Sequence, residues 1–205
     1  MVSGQRVRRR VLHPKVLPDL PSEPPQLKTR RLVLRGLRLT DAQRIERLAG
    51  DRAIAENTIL IPHPYEQGMA ERWILSQQER YREGRDVSFA IVPQGGRLLI
   101  GIIGLGLTKR DARGELGYWI GQPYWNRGYA TEAAQAVLRY GFETLGLNRI
   151  CAFHFGPNAA SGRVLKKLGM TFEGTYRQHI LKWGTFQDLY GYGILRSEFD
   201  MRTMR

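Results

Sequence analysis

The spacing of apolar and polar positions along this chain changes several times, and each change marks an element. Leu32-Val33-Leu34 opens a strand, and Thr40-Asp41 stands where a cap is needed before a helix whose apolar stripe includes Ile45 and Leu48. A proline-punctuated loop, Ile61-Pro62-His63-Pro64-Tyr65, precedes a second helical stretch from about Glu66 to Glu83. Three strand-like runs follow, Val87 to Val92, Leu98 to Leu107 and Glu115 to Ile120. Turn residues such as Gln94-Gly95-Gly96 and Arg110 to Gly114 separate them, which predicts an antiparallel meander.

The second half alternates differently. Ala130, Ala133, Ala134, Val137, Leu138, Gly141 and Leu145 recur at helical spacing until Gly146 stops the helix. Arg149 to Phe155 reads as a strand, and Asn158 caps a short helix carrying Val164, Leu165 and Leu168 on one face, ended by Gly169. Phe172 to Ile180 and Phe186 to Leu195 form a closing pair of strands. Strands first and then β-α-β-α-β-β predicts a mixed α/β layered domain. No internal repeat or low-complexity tract interrupts it.

Composition narrows the class. A chain of 205 residues with 42% hydrophobic and 25% charged residues is long enough to close a core as one domain. No apolar run approaches the roughly 20 residues of a membrane span, and no apolar h-region follows the basic N-terminus. The single cysteine, Cys151, excludes an internal disulfide and a Cys-cluster zinc site, so we expect no metal and a cytoplasmic, reducing setting. Residues 1–27 read as a basic, proline-rich arm, with the domain proper at 28–199 and a short tail at 200–205. Of the net charge of +13, residues 1–31 hold eight basic side chains against Asp19 and Glu23, a balance of +6, which leaves +7 on the body. A body of that charge suits a polyanionic ligand, RNA or an anionic surface. The arm is read as a solvated or packed appendage in preference to a ribosomal RNA contact, because no aromatic residue is interleaved among its arginines.

Candidate chemistry concentrates in Gly117-Tyr118-Trp119-Ile120-Gly121-Gln122-Pro123-Tyr124-Trp125-Asn126-Arg127-Gly128-Tyr129-Ala130-Thr131-Glu132-Ala133. A strand ends in a loop with Gly128 and Ala130 that opens into a long helix. Small residues let a ligand approach the backbone, and the first amides of a helix lack internal partners. Those amides and the helix dipole make an anion site suited to a pyrophosphate, with Arg127 as a cation at its mouth. No G-x-x-x-x-G-K-[ST] loop is present. Gly101-x-x-Gly104-x-Gly106 lies inside a strand pattern, where glycines mark bulges or close packing.

Trp125-Asn126-Arg127-Gly128-Tyr129-Ala130 resembles the R/Q-x-x-G-x-G/A motif of GNAT-superfamily acetyltransferases, and the fuller string is similar to the RimJ/RimL-type branch. Arg31-Leu32-Val33-Leu34-Arg35, Pro62-His63-Pro64-Tyr65, Asn148-Arg149-Ile150, Asn158-x-x-Ser161 and Val164 to Met170 add to the resemblance, which covers about residues 28–199. Trp125 in place of Arg or Gln, Phe155-Gly156-Pro157 before Asn158, and Met170 in place of Phe depart from the pattern.

The resemblance implies a GNAT fold, a mostly antiparallel mixed sheet with helices on both faces and a splayed strand pair that holds acetyl-CoA. It assigns the pantetheine arm to the backbone of Tyr118, Trp119 and Ile120 and to Asn158. The pyrophosphate falls to Asn126, Arg127, Gly128, Tyr129, Ala130 and Thr131. It makes Ser161 the group that protonates the departing thiolate, and Glu115 the base that takes the amine proton directly or through water. Each residue also has a plainer role: Glu115 as an exposed strand residue, Asn158 as a helix cap, Ser161 as support for that cap, the aromatics as core. Cys151, His154 and His179 are read as packing or surface residues.

The acceptor the branch implies is a protein N-terminal α-amine. An α-amine of pKa near 7.7–8.0 costs about 1 kcal/mol to deprotonate at pH 7 and a lysine about 4–5, which fits an enzyme whose candidate base is one carboxylate. Small amines and antibiotics stay open as acceptors, as does a module that holds coenzyme A or RNA without turnover. The acceptor pocket is expected between the Ile59 to Tyr65 loop and the Phe172 to Leu195 hairpin, in a monomer or homodimer.

Overall fold

Strict alternation along the central strands divides their side chains between two apolar layers. This computed structural model describes residues 18–199. Its strands are β1 (Leu27–Lys28), β2 (Leu32–Gly36), β3 (Asp86–Pro93), β4 (Gly101–Thr108), β5 (Arg113–Ile120), β6 (Arg149–Phe155), β7 (Thr171–Lys182) and β8 (Thr185–Leu195). Its α-helices are α1 (Ala42–Ala49), α2 (Arg52–Glu56), α3 (Met69–Arg82), α4 (Tyr129–Arg139) and α5 (Ala159–Lys167). All eight strands form one sheet in the order β1-β2-β3-β4-β5-β6-β8-β7, in which only β5 and β6 run parallel.

Phe89 and Ile91 of β3, Ile103 and Leu105 of β4, and Ile150 and Ala152 of β6 point to one face, where α4 and α5 cover them with Ala133, Val137, Leu138 and Leu165. Ala90, Val92 and Ile102 point to the other, under Ile45 and Leu48 of α1 and Ile74 of α3. Helices therefore cover both faces, as the resemblance implies. Leu20 and Leu27 pack against the first cluster, so the last part of the proline-rich segment lies on the body. The basic run before it lies outside the described residues.

Several boundaries move, each for a local reason. Thr40 and Asp41 do not cap α1 with their side chains. Residues Leu39–Asp41 form a 3-10 turn, and the Asp41 carboxylate turns back to accept from Arg38 N at 2.9 Å and from both terminal nitrogens of Arg35 at 2.8 Å. The second long helix begins at Met69 instead of Glu66, because Gly68 adopts φ +80° and gives its amide to Glu46 at 2.7 Å. Helix α2 lies between them, capped by Asp51, in a stretch whose apolar spacing predicts nothing. The last turn after α4 opens into a π-helical turn at Tyr140–Thr144. Gly101 and Gly104 are close-packing points with unbroken register: an added Cβ would lie 2.3 Å from Trp119 O and 2.7 Å from Val87 O.

Candidate active site

The sheet parts at its centre. Strands β5 and β6 pair only from Arg113 opposite Arg149 to Leu116 opposite Ala152, yet β5 stays paired to β4 as far as Ile120 and β6 to β8 as far as Phe155. Residues 117–120 and 153–155 therefore face each other across a gap, each with one unpaired edge. Gly121 N donates to Ile100 O at 2.8 Å, which fixes the parity of the β4–β5 ladder. By that parity Gly117 and Trp119 direct their peptide groups to β4, and Tyr118 and Ile120 direct theirs into the gap. Trp119 thus offers no main-chain group there, and its indole packs in the second cluster. Gly117 leaves the gap open on its own side, since an added Cβ would meet nothing within 4 Å.

At the end of β5 the chain turns back on itself. Trp125 gives its indole N–H to Ile120 O, tying the loop to the strand it has just left. That bond is a physical role for the tryptophan standing where related motifs carry Arg or Gln. Asn126 and Gly128 follow with φ of +59° and +75°, a pair of left-handed residues that aims the following amides outward. The first backbone bond into α4 runs from Glu132 N to Gly128 O at 3.1 Å, so the amides before it face the loop's concave side. Arg127 is exposed at the mouth.

The loop is also held from the far edge of the sheet. Glu132, in the first turn of α4, accepts from Thr29 Oγ1 and Arg31 N at 2.7 Å and from Arg31 Nε at 2.6 Å. Burial alone would raise its carboxyl, but the bonds from Thr29 and Arg31 outweigh that and hold it below the ordinary carboxylate value. Arg31 reaches on to donate to Arg127 O at 3.0 Å, with its guanidinium 4.8 Å over the Tyr129 ring. No spacing rule reaches across the hundred residues between Arg31 and Glu132.

On the α5 side of the gap, Asn158 caps the helix by accepting from Ser161 N at 3.0 Å, as its sequence position predicts. This fixes Ser161 so that its Oγ lies 2.8 Å from the hydroxyl of Tyr118. Burial pushes the Tyr118 phenol up to about 12, so it stays protonated and able to donate to Ser161 across the neutral range. The side chain of Tyr118 is a feature sequence reasoning missed, since strand parity alone does not show that it meets α5. Glu115 lies on the opposite face of β5, exposed and opposite Cys151, in the part of the ladder still closed. Cys151 is buried, and burial first, then the charge of Glu115, raises its thiol. His154 is buried against Tyr190 and Tyr192, with its Nδ1 donating to Phe155 O at 2.7 Å.

Beyond the open end of β6 lies a cavity of about 380 Å³ lined by Arg52, Glu56, Asn158, Lys182, Trp183 and Gln187 among others. Lys182 closes its rim by donating to Thr58 O at 2.9 Å and Ile61 O at 3.0 Å, which joins the β7–β8 hairpin to the loop after α2. One wall of the cavity is the β7–β8 hairpin, as the sequence leads one to expect of an acceptor pocket, but the other is α2, Asn57 and the turn after β6 in place of the Ile59 to Tyr65 loop. Among the described residues no cluster of three or more His, Cys, Asp or Glu could hold a metal, and no helix is long and apolar enough to cross a membrane.

Known proteins match this arrangement. The acetyltransferase (GNAT) domain family matches residues 31–171. The chain is 34% identical over 174 residues to the uncharacterized N-acetyltransferase YoaA of Bacillus subtilis, covering 84% of this chain and 97% of that protein. It is 28% identical over 173 residues to the ribosomal protein uS5-alanine N-acetyltransferase of Escherichia coli, covering 80% and 87%. The fold superposes on Mycobacterium smegmatis RimJ in complex with CoA-disulfide with a TM-score of 0.77, at 22% identity over 90% of this chain and 93% of that one. A family match across most of the chain, on a sheet that opens between β5 and β6 ahead of a glycine-loop helix, makes this protein a member of the GNAT N-acetyltransferase family.

Proposed function

We propose that the chain transfers the acetyl group of acetyl-CoA to a protein N-terminal α-amine, by direct attack in a ternary complex. The observation that carries this reading is the gap between β5 and β6, flanked by a left-handed loop of free amides on one side and the Tyr118–Ser161 pair on the other. The amides of Gly128, Tyr129, Ala130 and Thr131 would hold the pyrophosphate, with Asn126 shaping the turn and Arg127 adding charge. Main-chain groups of Tyr118 and Ile120, with the Asn158 side-chain amide, would hold the pantetheine. The likeness to an alanine N-acetyltransferase of ribosomal protein uS5 supports a protein N-terminus as acceptor.

Acid and base then lie on opposite faces of the sheet. Ser161 faces the leaving sulfur and passes it a proton, and Tyr118, donating to Ser161 Oγ, steadies the negative charge left there. Glu115 shares its face with Phe155, which lines the acceptor cavity, but stands four strand positions away, roughly 13 Å at the usual rise. A proton from the amine reaches Glu115 through water at that distance. No step of this chemistry draws on the basic arm.

A pH–rate profile with one acceptor peptide tests both roles. Glu115→Gln should lower kcat about 3- to 10-fold at pH 6.5 and recover as pH rises past the acceptor's own pKa, because the amine then arrives neutral. Ser161→Ala should cost about 10-fold at every pH from 6 to 9, since neither the serine nor Tyr118 titrates there. A Glu115→Gln profile parallel to wild type at full rate removes Glu115 from the mechanism. Turnover of polyamines or aminoglycosides in preference to N-terminal peptides replaces the acceptor assignment with a small-amine one.

A further inference from the structure

Arg31, between β1 and β2, lies at the wrong end of the sequence to belong to the glycine-loop motif, yet its side chain contacts that loop directly. Its Nη1 donates to the carbonyl of Arg127 at 3.0 Å, and its Nη2 comes within 3.4 Å of where a Cβ on Gly128 would stand. The guanidinium plane is set from two sides, by Nε on Glu132 at 2.6 Å and by the Tyr129 ring at 4.8 Å. A guanidinium carries five N–H donors. Two serve Glu132 and Arg127, which leaves three, both of those on Nη2 among them, uncommitted among the described residues, on a side chain 38% exposed.

The bond to Arg127 O also bears on the loop. In a helix continued backward, that carbonyl would accept from Thr131 N. Here it is turned to Arg31 instead, so the Thr131 amide joins those left facing the loop. Glu132 adds an electrostatic requirement. Its carboxylate sits in the first turn of α4, where a bound diphosphate would feel it as a like charge, and Arg31 is the cation that offsets it.

Resting on the acetyl-CoA reading above, we propose that Arg31 is a diphosphate-binding residue that both presets the Asn126–Gly128 turn and donates through Nη2 to a phosphate oxygen. Fixed planar donors match phosphate oxygens better than a flexible ammonium, so lysine is a poor replacement. The consequence is specificity for the nucleotide-bearing donor. Arg31 acts on the part of acetyl-CoA that S-acetyl-pantetheine lacks, and its loss therefore separates two thioesters with identical reacting groups.

The test is steady-state kinetics of the full chain with both donors and one fixed acceptor peptide. Arg31→Gln is expected to raise KM for acetyl-CoA about 10- to 100-fold with little change in kcat, while kcat/KM for S-acetyl-pantetheine stays within about twofold of wild type. Arg31→Lys should fall between them and guards against a folding defect in the glutamine variant. An equal loss with both donors overturns the proposal and leaves Arg31 as a structural tie. In the double variant Arg31→Gln with Glu132→Gln, a persistent acetyl-CoA defect supports direct donation. Full recovery there overturns it, since relief of Glu132 would then explain the whole effect. Wild-type protein inert toward both donors defeats the acetyltransferase reading itself, and the Arg31 assignment with it.

Discussion

A Gly128→Glu variant is expected to fold and to lose acetyl-CoA affinity by at least about 100-fold. Gly128 holds φ +75° at the start of α4, and an added Cβ would meet only Arg31 Nη2, the far end of a flexible side chain, at 3.4 Å. A side chain in the left-handed region costs about 1–2 kcal/mol, and an acidic group at a helix N-terminus returns part of it, so the fold survives. Binding does not, because the new carboxylate occupies the space a diphosphate needs and can pair with Arg31. Thermal shift reads the difference. Acetyl-CoA at 100 times its wild-type Kd stabilises the wild type by about 2.7 kcal/mol, and by about 0.4 kcal/mol after a 100-fold loss. Gly128→Ala separates the causes: it has the backbone strain without the charge and should weaken binding only several-fold. Equal stabilisation of wild type and Gly128→Glu by acetyl-CoA would refute the loop's role.

What could be read from sequence is what local chemistry decides. The Asn158 cap and the stop at Gly169 follow from side-chain and backbone preferences within a few residues, and the strand from Arg149 to Phe155 follows from its apolar run. The Asp41 cap failed because Arg35 and Arg38 compete for the same carboxylate, and a single-residue signal cannot weigh a bidentate neighbour. Helix α2 is five residues long, too short to show a period. The gap between β5 and β6 has no local signature, because both strands are continuous and only their mutual register ends at Leu116. Family resemblance supplied it in advance. The resemblance did not supply the contacts made by side chains from distant segments: Arg31 and Thr29 on Glu132, Tyr118 on Ser161, Lys182 on the loop carbonyls. Each depends on a tertiary approach between segments far apart in sequence. Trp119 shows the converse, a residue inside the right motif whose peptide groups are turned to β4 by strand parity.

The largest expected stability loss comes from one methyl group on β4. In Gly101→Ala the new Cβ would stand 2.3 Å from Trp119 O and 2.9 Å from Ile120 Cα, both backbone atoms of the neighbouring strand. No rotamer change relieves that overlap, so β4 and β5 must move apart where Gly101 lies opposite Ile120. Overpacking of this kind costs about 1–3 kcal/mol, and contact with backbone puts this site at the upper end. Tm should fall by about 6–12 °C for a chain of this size. Gly106→Ala, on the same strand, is the control: its nearest atoms are 4.0 Å from the added Cβ, so its Tm should fall by no more than about 2 °C. The two substitutions share the strand and the chemistry and differ only in what the methyl meets. Function should follow the same division. A displaced Ile120 pulls on the carbonyl held by Trp125 and shifts the Tyr118 edge of the gap, so Gly101→Ala protein that remains folded at 20 °C should bind acetyl-CoA about 10-fold more weakly. Gly106→Ala should bind it as wild type does. A Gly101→Ala variant with wild-type Tm and wild-type affinity would show that the β4–β5 contact is not the support on which the gap rests.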